Sequence, residues 1–96
     1  MKIVYLPATR SDIAWLRDYC SRIFPEGHTR ARQHFKATEK LLSENPLFGR
    51  VVEAEGVREL VIPKTPFSFL YRIRQERIEV LRVWDGRADR GILDFD

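Results

Sequence analysis

Residues 57–90 read VRELVIPKTPFSFLYRIRQERIEVLRVWDGRADR. Three runs in this stretch, 57–62, 67–73 and 78–84, are dense in β-branched and aromatic side chains, the types that pack well on a pleated surface. Gln75-Glu76 leaves room only for a tight turn, so the last two runs are expected to pair as a hairpin. Pro63 and Pro66 remove backbone donors between the first two, which predicts an open loop around Lys64. Strict alternation sends Phe67, Phe69, Tyr71 and Ile73 to one face and Ser68, Leu70, Arg72 and Arg74 to the other. In the last run it groups Ile78, Val80, Arg82 and Trp84 on one side, with Leu81 and Val83 opposite. Arg58, Arg72, Arg74, Arg77, Arg82, Arg87 and Arg90 lie on or just beyond these strands, a set of guanidinium groups suited to phosphates or carboxylates.

Upstream, residues 2–6 form a short opening strand that Pro7 closes. Thr9 with Asp12 three residues on approximates a capping box and predicts a helix start. Ile13, Leu16, Cys20 and Ile23 recur at helical spacing, with Trp15 and Tyr19 widening the stripe. Pro25-Glu26-Gly27 breaks that helix. A second runs from about Thr29, with Ala31, Phe35, Thr38, Leu41 and Leu42 on one face and Arg30, Lys36 and Lys40 on the other, until Asn45-Pro46 stops it. Residues 47–56, with Gly49, Gly56, Glu53 and Glu55, read as a loop or frayed edge. The expected fold is therefore α+β, in the order β-α-α-β-β-β, with a helical hairpin packed on a small, mostly antiparallel sheet.

Ninety-six residues bound this to one domain spanning 1–96, with 91–96 expected as a flexible tail. A hydrophobic fraction of 44% beside 32% charged residues fits a globular chain and argues against disorder. No apolar run approaches the ~20 residues that span a bilayer, and residues 1–10 lack the pattern of a secretory signal. Cys20 is the single cysteine, so no internal disulfide forms, which suits a reducing cytoplasm. It falls inside the helical stripe and reads as a packing residue. The net charge of +3 sets seventeen Lys and Arg against fourteen Asp and Glu. That excess favours acidic partners without selecting between nucleic acid and protein.

His28 and His34, six residues apart with no cysteine or carboxylate pair at ligand spacing, read as structural, and neither a metal nor a cofactor is expected. Trp15 and Tyr19 belong either to the core or to the floor of a groove. Arg72 and Arg82 either pair with Glu59 and Glu79 across neighbouring strands or receive acidic side chains from a partner. Trp84 is either a half-buried edge aromatic or, with Arg87 and Arg90, a contact platform.

The segments Asn45-Pro46-Leu47-Phe48-Gly49-Arg50, Val57-Arg58-Glu59-Leu60, Phe69-Leu70-Tyr71-Arg72-Ile73 and Ile78-Glu79-Val80-Leu81-Arg82-Val83-Trp84-Asp85-Gly86-Arg87, in this order, resemble the RelE/ParE toxin superfamily over essentially the whole chain. The resemblance implies the toxin of a bacterial type II toxin–antitoxin pair, held inactive in the cytoplasm by a tightly bound antitoxin and reaching operator DNA only through that antitoxin. RelE-like members cut mRNA on the ribosome, a reaction that needs a base, an acid and fixed cations for the developing phosphorane charge. Where they carry functional cations, this chain has Ser68 and Ala88. Losing one oriented cation typically raises such a barrier by roughly 3 kcal/mol. The resemblance thus implies the ParE-like branch: a stoichiometric inhibitor of DNA gyrase with no catalytic residues, paired with a ParD-like antitoxin. It implies antitoxin contacts at Trp15, Tyr19, Arg58, Arg72 and Arg82 and target contacts at Trp84, Arg87 and Arg90. The alternatives are a RelE-like endoribonuclease using Arg58, Arg87 and Lys64, and a degenerate, non-toxic binding module.

Overall fold

The computed structural model describes residues 1–23, 28–52 and 56–85. The breaker Pro25-Glu26-Gly27, the acidic pair Glu53 and Glu55, and the tail with Arg87, Ala88, Arg90 and residues 91–96 lie outside the described residues, as do the side chains of Ile23 and His28. Along the chain come β1 (Lys2–Tyr5), α1 (Thr9–Ile23), α2 (His28–Glu44), β2 (Arg50–Val51), β3 (Arg58–Val61), β4 (Phe67–Arg74) and β5 (Arg77–Asp85). They build one five-stranded sheet in the order β1-β5-β4-β3-β2. β1 runs parallel to β5, and every other neighbouring pair is antiparallel. The expected α+β order holds, and within the stretch expected as a loop or frayed edge Arg50 and Val51 pair with Glu59 and Arg58 as a short edge strand.

Both helices press on one face of the sheet. Phe67, Phe69 and Tyr71 of β4, with Ile78, Val80 and Val83 of β5, are buried there against Leu42 of α2, while Ile13, Leu16 and Tyr19 of α1 and Phe35 of α2 pack onto them. Phe35 meets Phe69 edge-on at 5.1 Å and Tyr19 meets Phe67 at 5.7 Å, offset geometries that aromatic pairs favour. Cys20 is buried, and that burial raises its thiol pKa, in keeping with a packing role. Leu41, placed by periodicity on the buried face of α2, is exposed instead, and Leu42 alone of the pair reaches the core.

Strict alternation fails in β5. Leu70 pairs with Arg82 but Tyr71 with Val80, so Leu81 is an extra, bulged residue. Beyond it the facing inverts: Val83 joins Ile78 and Val80 in the core, and Arg82 and Trp84 turn to the opposite face with Leu70 and Ser68. The bulge falls where β5 loses its outer neighbour, because β1 ends with Tyr5 opposite Val80.

Asp12 occupies the edge that β1 vacates. It accepts the Val83 N–H at 3.1 Å and grips Arg82 through Nε at 2.7 Å and Nη2 at 2.8 Å. The expected capping box is therefore not made. Thr9 turns back to Leu6, donating its hydroxyl and its N–H to the same carbonyl, and Asp12 ties α1 to the sheet. The β4–β5 hairpin closes through Gln75 and Glu76, both with positive φ (56° and 59°), as its two-residue turn requires.

Tyr71, in the central strand, fixes the chain leaving α2. Its hydroxyl donates to Pro46 O at 2.7 Å and accepts the Gly49 N–H at 2.9 Å. Burial pushes the phenol pKa up. Gly49 sits so close that a Cβ there would lie 2.6 Å from the Tyr71 hydroxyl. Tyr71→Phe is expected to destabilise the fold by about 1–3 kcal/mol through two stranded backbone groups. Gly49→Ala is expected to cost a similar ~1–3 kcal/mol through overpacking. Urea denaturation of both variants checks this, and a Tyr71→Phe variant as stable as the parent would refute the assigned role.

Candidate functional site

A groove of about 550 Å³ opens between α1 and α2. Its floor is apolar, from Ile13, Leu16 and Phe35, and its walls carry Arg17 on one side and Arg32 and Lys36 on the other. Tyr5 and Glu39 close one end by a short phenol–carboxylate hydrogen bond. Burial first, and that bond second, hold the Tyr5 hydroxyl protonated well above its ordinary range. Glu39 is thereby engaged, with Lys36 at 3.9 Å as a loose second partner. The walls are thus cationic over a hydrophobic floor, a surface matched to an amphipathic helix with acidic flanks.

The sequence-selected aromatics Trp15 and Tyr19 are not among the residues lining this groove. Trp15 is 48% exposed and touches Tyr19 at 6.4 Å, whereas Tyr19 leans inward onto Phe67. Trp15 is a surface aromatic on α1 and Tyr19 a core one. The groove itself, with Arg17 and Arg32, was missed. Each residue reads singly as a solvated helix position, and only the gap between the helices makes them walls.

Arg58 and Arg82, selected together from the sequence, are held by different partners. Arg58 donates to the carbonyls of Gly49 at 2.8 Å and Leu47 at 3.3 Å, clasping the same loop that Tyr71 fixes. Arg82 is held by Asp12, which raises its pKa further, and stacks over Trp84 at 5.8 Å. The indole N–H of Trp84 is buried with no acceptor among the described residues. Glu59 takes Arg50 at 2.5 Å and Glu79 takes Arg72 at 2.8 Å, as expected for Arg72, whereas Arg82 goes to Asp12. Ser68 lies buried between Val61 and Trp84 in register, an apolar setting. Lys64, in the turn after β3 with φ of 65°, is separated from Arg58 by the length of that strand, ~13 Å. Among the described residues no three His, Cys, Asp or Glu side chains stand together as metal ligands. No helix of the described residues is long and apolar enough to cross a membrane.

Glu79 of β5 is held by two arginines. One oxygen accepts Arg72 Nε at 2.8 Å and the other accepts Arg77 at 2.7 Å and 3.1 Å. These bonds, Arg72 first, lower its pKa below the ordinary value of 4.5. A carboxyl group lowered on folding stabilises the native state above its ordinary pKa, and that contribution is lost as the pH falls through the lowered one. Glu79→Gln is therefore expected to destabilise most near neutral pH, with the gap to the parent closing below about pH 4. Thermal melts across pH 3–7 test it, and a gap independent of pH would count against the assignment.

The family model described as ParE toxin of type II toxin-antitoxin system, parDE, matches residues 3–90. No curated protein sequence matches the chain. Among solved structures the chain is similar to one from the chromosomal ParDE TA system from P. aeruginosa, with a TM-score of 0.71 and 30% identity, covering 86% of this chain and 92% of that one. The two-helix, mixed-sheet architecture and a family match that runs from β1 past the end of β5 agree, and the chain belongs to the ParE toxin family of type II toxin–antitoxin systems.

Proposed function

We propose that this ParE-family chain inhibits DNA gyrase by stoichiometric binding in the cytoplasm and is neutralised by a ParD-like antitoxin whose amphipathic helix occupies the groove between α1 and α2. The observation that carries the antitoxin reading is that groove: an apolar floor of Ile13, Leu16 and Phe35 between walls bearing Arg17, Arg32 and Lys36. A helix presenting apolar residues three and four apart, flanked by Asp or Glu, satisfies both features at once. From there the antitoxin continues as an extended segment over the sheet. Trp84, with Arg87 and Arg90 beyond it in sequence, is the proposed contact with the target.

Support for inhibition without catalysis comes from the same residues that would otherwise build a nuclease. The position where RelE-like relatives present a cation holds Ser68, set between Val61 and Trp84. Arg58 is committed to backbone carbonyls, and Lys64 stands at the other end of β3. Glu79, a carboxylate on the open face, is engaged by two guanidinium groups and is a poor base.

Two measurements follow. Purified chain is expected to abolish gyrase supercoiling in a dose-dependent way at about micromolar concentration, and activity retained throughout would overturn the gyrase reading. Separately, Arg17→Glu with Arg32→Glu is expected to weaken binding of the cognate antitoxin roughly tenfold or more, ~1.4 kcal/mol, while leaving the supercoiling effect intact. Calorimetric titration reads the first effect, and unchanged affinity would remove the antitoxin from this groove.

A further inference from the structure

The hairpin end of the sheet carries an arrangement that folding alone does not favour. Lys2 of β1 stands opposite Arg77 of β5, and Arg77 stands opposite Arg74 of β4. Residues paired in this way share a face, so three cations lie side by side across three adjacent strands, spaced ~4.8 Å apart over ~10 Å. Like charges directly opposite one another destabilise a sheet. The next row inward adds Arg72, opposite Glu79. Glu79 is buried and fastens Arg72 and Arg77, whose side chains remain partly exposed. Lys2 and Arg74 are exposed, and their side chains make no hydrogen bond or ion pair among the described residues. Four cations thus meet two carboxylates here, Glu79 already engaged and Glu76 in the turn.

We propose that this row binds the phosphodiester backbone of duplex DNA. A straight row of three cations, Lys2, Arg77 and Arg74, on a rigid sheet end, with Arg72 behind it, suits a stiff polyanion with regularly repeated phosphates. A single acidic side chain would engage only one or two of them. Such contacts carry no sequence preference, so operator recognition is left to the antitoxin. Binding occurs without cleavage, since Glu79, the carboxylate behind the row, is occupied by Arg72 and Arg77. The surface faces away from the groove between the helices and leaves that groove free. This inference goes beyond gyrase inhibition and stands independently of it, because its test contains no gyrase.

Fluorescence anisotropy of a short labelled duplex of mixed sequence, titrated with the full chain between ~50 and ~200 mM salt, reads the interaction. Lys2→Gln with Arg74→Gln removes two cations that hold nothing else in place, and circular dichroism verifies the fold. The parent is expected to bind with about micromolar affinity at the low salt. The double variant is expected to bind at least tenfold more weakly, with the log–log salt slope reduced by about 2, one per cation removed. Arg10→Gln with Arg30→Gln, an equal change of net charge on exposed helix surfaces away from Lys2, is expected to leave the slope near the parent value. Absence of duplex binding, or an equal loss in the helix variant, overturns the proposal. So does polyglutamate competing as well as duplex, which assigns the row to an acidic protein segment, or single-stranded RNA binding more tightly than duplex.

Discussion

The Asp12 carboxylate holds together parts of the chain seventy residues apart, and much of the architecture depends on it. At the point where β1 ends, β5 presents an open backbone N–H and an arginine, and Asp12 satisfies both from the first turn of α1. Without an acceptor there, a buried donor at the sheet edge would lose its partner, a cost of about 1–3 kcal/mol. The same contact fixes where α1 begins its path across the sheet. It therefore sets one wall of the groove that runs between the helices. It also orients Arg82 over Trp84, so the indole's position on the opposite face is coupled to the helix layer through one guanidinium.

The two faces of the sheet have different physics. The helix-covered face is a core of interlocked aromatics, Phe67, Phe69 and Tyr71 with Phe35 and Tyr19, and tolerates little change. The opposite face is organised by ion pairs, Arg50 with Glu59 and Arg72 and Arg77 with Glu79, in which each carboxylate is buried and the arginines are partly exposed. Buried carboxylates of this kind are stable only while paired. Their consequence is positional: they hold guanidinium groups rigidly at a surface. A groove on one side of the molecule and fixed cations on the other give it two chemically distinct surfaces.

Much of the site was hidden from pattern reading for a definite reason. Period-2 alternation placed Trp84 and Arg82 with Ile78 and Val80, and one bulged residue at Leu81 inverted the set. The capping-box reading of Thr9 and Asp12 used a correct local preference, but the tertiary demand at Val83 claimed the carboxylate. Arg58 was selected for its charge, yet its partners are carbonyls of a loop eleven residues upstream at the furthest. Cation–cation adjacency at Lys2, Arg77 and Arg74 joins the two termini of the described chain and exists only in the register of the folded sheet.

By itself the sequence determined the element order, the hairpin at Gln75-Glu76, the mostly antiparallel sheet and the toxin superfamily. Those follow from periodicity, turn chemistry and motif order, which are local along the chain. Tertiary structure alone decided which face Arg82 and Trp84 occupy, which acid each arginine meets and where a groove opens between α1 and α2. These depend on strand register, on one bulge and on where β1 stops, all set by packing between residues far apart in sequence, to which local propensity is blind.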